Sequence, residues 1–165
     1  MSWDDNFSIR TLSPDSAVER NSVGEFLREA GLEYEDDIDY TIGIYHGTEL
    51  AAVGSLAGRV IKGVAVGSAW RGENLTGKLL SYLKLYAYHQ GIHSLFLYTS
   101  PANRELFTSV GYSPVAATDD VLLMEDTKRN FRNYLDALTS LNPDGVPAAS
   151  LVMNCNPFTL GHRYL

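Results

Sequence analysis

The alternation of apolar and polar residues at the start of the chain predicts a strand that leads into a helix. Residues 7–12 alternate in this way and run into Ser13-Pro14. This pair favours a helix start, because serine can cap a first turn and proline fits the first helical position. The helix is expected to end at Gly31. Its buried stripe is predicted to be Ala17, Val23, Phe26, Leu27 and Ala30.

Three β-rich runs follow an acidic stretch and predict three consecutive antiparallel strands. The runs cover residues 40–46, 49–56 and 61–66. His46-Gly47-Thr48 separates the first two and suits a hairpin turn. The acidic stretch, residues 33–39, is interpreted as a solvated loop.

The middle of the chain predicts a long helix and then further strands. Leucines at helical spacing indicate a helix from about Thr76 to Gln90. We expect a strand over 94–99 and a short helix over 101–110. Two more strands, around Val115 and over 121–125, would complete the sheet.

A second helical pattern ends at the breaker cluster Asn142-Pro143-Asp144-Gly145. The apolar run that follows, residues 148–154, is typical of a buried parallel strand. The helical pattern consists of Phe131, Tyr134, Leu135, Leu138 and Leu141. We therefore expect three parts: a first domain over 1–126, a connector helix and linker over 127–147, and the start of a second domain, truncated, over 148–165.

Composition and charge narrow the class of protein. The 165 residues are 45% hydrophobic and 20% charged, which is typical of a folded globular domain. The net charge of −7, without a basic run, argues against a nucleic-acid partner. One cysteine, Cys155, and an N-terminus without a signal-peptide pattern favour a reducing cytoplasm. Since no apolar run approaches ~20 residues, we expect no membrane span.

Two segments resemble the GNAT acetyltransferases, in residues and in the order of elements. The first is Val64-Ala65-Val66 followed by RGENLTGKLL over 71–80, a strand that leads to an Arg- and Gly-rich loop at a helix N-terminus. The second is Asn103-Arg104-Glu105-Leu106-Phe107 running into Val110-Gly111-Tyr112, a helix with a Gly-aromatic turn. The resemblance implies an α/β (α+β) domain with a mixed, mostly antiparallel sheet flanked by helices.

The same resemblance implies a site for a coenzyme A derivative. Backbone N–H groups at a helix N-terminus, together with the helix dipole, can hold a pyrophosphate. The residues carried over as binding this ligand, acetyl-coenzyme A or a dephospho-coenzyme A group, are Val64, Val66, Arg71, Gly72, Asn74, Thr76, Gly77, Lys78 and Asn103. We assign no residue to a metal.

The chain departs from the GNAT pattern at three positions. Asn74 and Thr76 stand where family members usually carry glycine, and asparagine tolerates the left-handed backbone that such a loop needs. Phe107 stands where many members carry a tyrosine that protonates the departing thiolate. Glu73 and Tyr112 are the alternative proton donors that the sequence offers, but we interpret them as a surface carboxylate and a core aromatic. The domain is therefore expected to hold a pantetheine arm rather than to act as an ordinary amine acetyltransferase.

The end of the chain resembles the opening strand and signature loop of cytidylyltransferase-like nucleotidyltransferases, a Rossmann-like fold. That superfamily uses two histidines, the second preceded by glycine, to stabilise the transition state of adenylyl transfer. Here Thr159 occupies the first position and His162 the second, in Asn-Pro-Phe-Thr-Leu-Gly-His over 156–162. Both are candidate catalytic residues.

This heptapeptide behind a GNAT-like domain resembles the citrate lyase ligases. The resemblance implies activation of acetate with ATP, and with Mg²⁺, to an adenylate. The acetyl group then passes to the thiol of a phosphoribosyl-dephospho-coenzyme A group on the acyl-carrier subunit of citrate lyase. Two alternatives stay open: a free-standing GNAT N-acetyltransferase that uses acetyl-coenzyme A, and a non-catalytic module that binds a coenzyme-A-like ligand.

Overall fold

A computed structural model describes residues 6–127, 130–142 and 144–147. The chain divides into two compact units, residues 1–131 and 132–165. The strands in the described residues are β1 Phe7–Leu12, β2 Tyr40–His46, β3 Glu49–Ala57, β4 Val60–Val66, β5 Phe96–Thr99, β6 Ser113–Ala117 and β7 Leu122–Glu125. The helices are α1 Ala17–Glu29, α2 Leu75–His89, α3 Arg104–Ser109 and α4 Asn130–Ser140.

The strands form one mixed sheet in the order β1-β2-β3-β4-β5-β7-β6. All neighbouring strands are antiparallel except β4 and β5, which run parallel. The parallel pair joins only Val60 to Phe96 and Ile61 to Leu97, so the two strands separate beyond Ile61. The predicted mixed and mostly antiparallel sheet is confirmed.

Helices cover both faces of the sheet. Successive residues of a strand point to opposite faces, and Ala52 and Val53 of β3 belong to different core clusters. Ala52 packs in the cluster of α2, whose Leu79 and Leu83 are fully buried. Val53 packs with the buried residues of α1, Val23 and Leu27.

The predicted start of α1 was wrong by three residues. Ser16, not Ser13, is the N-cap: its backbone is extended and its Oγ accepts a hydrogen bond from Glu19 N. Glu19 Oε2 in turn accepts from Ser13 N at 2.7 Å, so Ser13-Pro14 forms a turn ahead of the helix. A Ser followed three residues later by Glu is the stronger capping signal.

The predicted stripe of α1 was also too wide. Val23 and Leu27 are buried and Phe26 is half-buried, whereas Ala17 and Ala30 are exposed. Ala17 is the first residue of the helix and Ala30 is its C-cap.

The helix predicted ahead of Asn142 is α4. The predicted division into a first domain over 1–126, a connector over 127–147 and the start of a second domain over 148–165 stays a prediction. The strand expected over 148–154 lies outside the described residues. Within the part of the chain that the structure describes, no helix is long and apolar enough to cross a membrane.

Candidate functional site

The divergence of β4 and β5 opens a groove of about 860 Å³ in the first unit. Beyond Ile61, β4 no longer pairs with β5, and the remaining residues of β5 pair only with β7. The groove is lined by the edge of β4, the loop and first turn that lead into α2, the end of β5, and α3. Its far wall is formed by Ala30 and Leu32 at the end of α1.

The open edge of β4 presents unpaired backbone groups to the groove. Gly67 N donates to Ala51 O of β3 at 2.9 Å. Because hydrogen-bonding direction alternates along a regular strand, and Ala65 is paired with Val53 of β3, the N–H and C=O groups of Val66 and the C=O group of Val64 point away from β3 and towards the gap. The register of β3 and β4 shifts just before Val64, at Gly63. Both valines line the groove. An extended ligand with amide groups can therefore pair with this edge as another strand would.

The loop between β4 and α2 lines one end of the groove and is a candidate anion site. Gly72 has φ +97° and Asn74 φ +53°, and Asn74 is the one non-glycine residue with positive φ in the described chain. The expectation that Asn74 keeps a left-handed loop is thus confirmed. Among the described residues Asn74 makes no side-chain cap, so the first N–H groups of α2 stay available for an anion.

Most of the predicted binding residues come together here. Those that line the groove are Val64, Val66, Arg71, Gly72, Asn74, Thr76 and Asn103. Gly77 and Lys78 stand in the same helical turn but are not among the lining residues. The Lys78 ammonium lies 5.4 Å from the centroid of the Phe7 ring, on the sheet side of the helix. Their roles in binding stay predictions.

The opposite wall is built by β5 and α3. Asn103 Nδ2 donates to Thr99 Oγ1 at 2.9 Å, and both residues line the groove. Phe107 also lines the groove but is only 6% exposed. Its ring packs edge-on against that of Tyr112, with 6.3 Å between the ring centroids. At this position the groove meets a phenyl ring and therefore no proton donor.

Neither alternative proton donor faces the groove. Glu73 is exposed and Tyr112 is buried, and both are absent from the described residues that line the groove. Burial, together with the Asp126 carboxylate, raises the pKa of the Tyr112 hydroxyl well above its usual value. The interpretation of Tyr112 as a core aromatic agrees with this environment.

Sequence reasoning missed the groove residues that lie outside the two motifs. Lys62 and Trp70 belong to neither motif, although Lys62 lies two residues before Val64 and Trp70 directly precedes Arg71. Tyr98 and Thr99 end β5 directly before a turn, and strand ends of this kind are frequent site positions. The candidate catalytic residues Thr159 and His162 lie outside the described residues, and their roles stay predictions.

Solved structures share the fold of the first unit. Escherichia coli ElaA covers 73% of this chain and is itself 99% covered, with a TM-score of 0.60 and 18% identity. An acyl-CoA N-acyltransferase from Pseudomonas aeruginosa covers 73% and is 99% covered, with a TM-score of 0.61 and 15% identity. At these identities the likeness shows the GNAT fold alone.

Comparison of sequences reaches further along the chain. The [citrate [pro-3S]-lyase] ligase of Klebsiella pneumoniae is 38% identical over 147 residues, which cover 88% of this chain and 43% of that protein. The enzyme of the same name from Escherichia coli (strain K12) is 34% identical over 144 residues, 87% of this chain and 41% of that protein. The chain therefore spans less than half the length of the curated relatives it matches.

The end of the chain also matches a family model. A family model described as the citrate lyase ligase C-terminal domain matches residues 148–165, which include Thr159 and His162. Over most of its length, this chain is similar in sequence to proteins named citrate lyase ligase, and its first unit has the GNAT fold.

Proposed function

We propose that this chain is part of a ligase that activates acetate with ATP and acetylates the thiol of phosphoribosyl-dephospho-coenzyme A, the prosthetic group of citrate lyase. The groove of the GNAT-fold domain holds the pantetheine arm of that group, which is carried on the acyl-carrier subunit. Residues 148–165, with Thr159 and His162, belong to the nucleotidyltransferase part, where ATP, with Mg²⁺, and acetate give the adenylate.

The observation that carries this proposal is the open edge of β4 beside an anion site. A pantetheine arm contains two amide groups, which match the free backbone groups of Val64 and Val66. Its diphosphate end matches the first turn of α2 and the Arg71 side chain, which line the same groove. Arranging two reactants in register contributes several kcal/mol to lowering a barrier.

The absence of a proton donor at Phe107 favours a groove that holds the pantetheine arm and argues against a groove that acetylates amines. When an amine takes an acetyl group from a thioester, a thiolate departs and must be protonated. When the thiol is the acceptor, it loses a proton and no thiolate departs. A groove wall without a proton donor at Phe107 therefore fits the thiol acceptor.

The proposal is tested by calorimetry with dephospho-coenzyme A. Arg71→Ala should weaken binding tenfold or more, because a charge-assisted hydrogen bond contributes about 1.5–3 kcal/mol. Arg59→Ala is the matched control, since Arg59 is an exposed arginine that does not line the groove. An equal dissociation constant for wild type and Arg71→Ala would contradict the site.

The adenylation step has a separate test. In a protein that carries this chain together with a complete nucleotidyltransferase domain, His162→Ala should slow ATP–pyrophosphate exchange with acetate by about two orders of magnitude, the usual cost of losing one transition-state charge stabiliser. The exposed His93 provides the control variant His93→Ala. A silent His162→Ala would contradict the ligase mechanism and leave the fold untouched.

A further inference from the structure

Lys62 ties the acidic loop between α1 and β2 to the central strand β4. Its ammonium donates to Glu35 Oε2 at 2.6 Å and to Asp37 Oδ2 and Oδ1 at 2.8 and 3.0 Å. These three contacts match the three N–H groups of a lysine. The hydrogen bonds, that to Asp37 first, raise the pKa of Lys62. The lysine therefore stays charged and engaged at neutral pH.

This tie lies at the end of the groove opposite the anion site. Lys62 lines the groove and precedes Val66 by four residues on β4. At a rise of about 3.3 Å per residue, the two positions are about 13 Å apart, and Arg71 follows beyond Val66. A ligand with its diphosphate at Arg71 and its arm along β4 therefore brings its thiol end towards Lys62.

The loop that Lys62 holds belongs to the wall at this end. Leu32, at the start of the loop, lines the groove together with Ala30 and Ile61. Near the start of the loop, Leu32 N donates to Leu27 O, and at its last residue Asp39 N donates to Leu56 O. Between these anchors, Lys62 makes its polar contacts to Glu35 and Asp37, while Tyr34 packs against the core cluster of α1 and Ile38 is buried.

The exposure of the three charged groups shows that the tie positions the loop more than it stabilises the fold. The Lys62 side chain is 18% exposed, whereas those of Glu35 and Asp37 are 55% and 62% exposed. Ion pairs with half-exposed carboxylates contribute little to folding. Breaking the tie should therefore release the loop while the domain stays folded.

We propose that Lys62 is a positioning residue that holds the α1–β2 loop as the end wall of the groove, and so restricts the thioester bound there to a short acyl group. The inference rests on the proposed function, because it requires a pantetheine arm in the groove. The wall is apolar at Ala30, Leu32 and Ile61, and a wall held across this end of the groove would suit an acetyl or propionyl group better than a fatty acyl chain.

The test compares binding of acetyl-coenzyme A with that of octanoyl-coenzyme A by calorimetry. The wild type should prefer the acetyl thioester by tenfold or more. Lys62→Met removes the charge and keeps the side-chain bulk, and the double variant Glu35→Gln/Asp37→Asn removes the acceptors and keeps Lys62. Each should reduce the preference at least fivefold through tighter octanoyl binding. In the double variant, whose substituted residues do not line the groove, acetyl binding should change less than twofold.

Two controls separate the tie from general charge and folding effects. Asp36→Asn removes a carboxylate of the same loop that is not bonded to Lys62, and it should leave the preference unchanged. Lys62→Arg keeps a cation and should retain the preference. Thermal unfolding of the Glu35→Gln/Asp37→Asn variant, whose substitutions are on the surface, should stay within a few degrees of wild type.

The outcomes distinguish this inference from the proposed function. If acetyl-coenzyme A binds, Arg71→Ala weakens it, and the acetyl preference is unchanged in both Lys62→Met and the double variant, the end-wall role is overturned and the pantetheine site stands. If neither thioester binds the wild type, the groove is not a pantetheine site, and both proposals are overturned.

Discussion

The side-chain amide of Asn74 fills the space beside Gly77 in which a side chain would begin. An ideal Cβ on Gly77 would lie 2.6 Å from Asn74 Oδ1 and 3.4 Å from its Cγ. Asn74 also holds the left-handed backbone that turns the loop into α2. The conformation of the loop between β4 and α2 is therefore coupled to the absence of a side chain at Gly77.

Gly77→Ala should weaken ligand binding without weakening the fold. Alanine is favoured over glycine inside a helix by about 1 kcal/mol, so the melting temperature should not fall. The new Cβ displaces the Asn74 amide, and the affinity for dephospho-coenzyme A should fall several-fold. In Asn74→Gly/Gly77→Ala the obstacle is gone, and the affinity should recover towards that of Asn74→Gly alone. Additive losses in calorimetry would show that the two residues are not coupled.

Local patterns were sufficient to predict most of the fold. The strand and helix periods between residues 7 and 125 arise from burial on one face, which the sequence displays directly. The left-handed backbone of Asn74 was predictable from another local signal, because residue type limits φ.

Features that depend on distant parts of the chain could not be read from local patterns. Lys62 and Asp37 are 25 residues apart, and their contact requires the packing of α1 against β4. Leu27 of α1 reaches this strand at Gly63, whose ideal Cβ would lie 3.3 Å from Leu27 Cδ1. The prediction of the α1 cap failed for another reason. Ser13 and Ser16 are both plausible caps, and it is Ser16 whose Oγ accepts from Glu19 N, whereas the Glu19 carboxylate accepts from Ser13 N in the turn ahead of the helix.

Phe107→Tyr should fold and should not create strong amine acetylation. The ring is 6% exposed and borders the groove, so a hydroxyl can reach towards the groove without enlarging the core. We expect little or no turnover of acetyl-coenzyme A with a panel of amines, in the variant as in the wild type. Robust turnover in the variant would mean that the domain is an N-acetyltransferase scaffold that lacks only its acid, and robust turnover in the wild type would favour the free-standing enzyme.

Asp126→Ala should destabilise the domain much more than Asp126→Asn. Asp126 Oδ1 accepts from the buried Leu95 N at 2.9 Å and thereby joins the segment before β5 to the end of β7. Its Oδ2 lies 3.0 Å from Lys84 Nζ, an ion pair that lacks the alignment of a hydrogen bond. Asparagine keeps the acceptor for Leu95 and loses the charge, whereas alanine leaves a buried N–H unpaired, which costs about 1–3 kcal/mol. Urea unfolding measures the difference, and equal losses for the two variants would contradict it.

Tyr112 should make the domain sensitive to alkali. Its hydroxyl is buried and has no hydrogen-bond partner in the described part of the chain, and burial first, then Asp126, raises its pKa. The folded protein therefore keeps this proton at a pH where an unfolded tyrosine, with a pKa of about 10, loses it. Below that pH the tyrosine is protonated in both the folded and the unfolded state, so it does not change the free energy of unfolding with pH. Above it, the unfolded state binds fewer protons, so the free energy of unfolding falls as the pH rises.

Tyr112→Phe should remove that sensitivity and leave the domain at least as stable at neutral pH. The variant loses a buried hydroxyl that has no hydrogen-bond partner among the described residues, so the free energy of unfolding at pH 7 should be equal or higher. Between pH 9 and 11, wild type should lose up to about 1.4 kcal/mol per pH unit through this group. Tyr34, whose pKa burial also raises, leaves a smaller slope in the variant. Tyr98→Phe changes an exposed tyrosine and should keep the wild-type slope. Denaturant unfolding across this pH range measures all three proteins, and identical slopes for wild type and Tyr112→Phe would show that Tyr112 is not the group responsible.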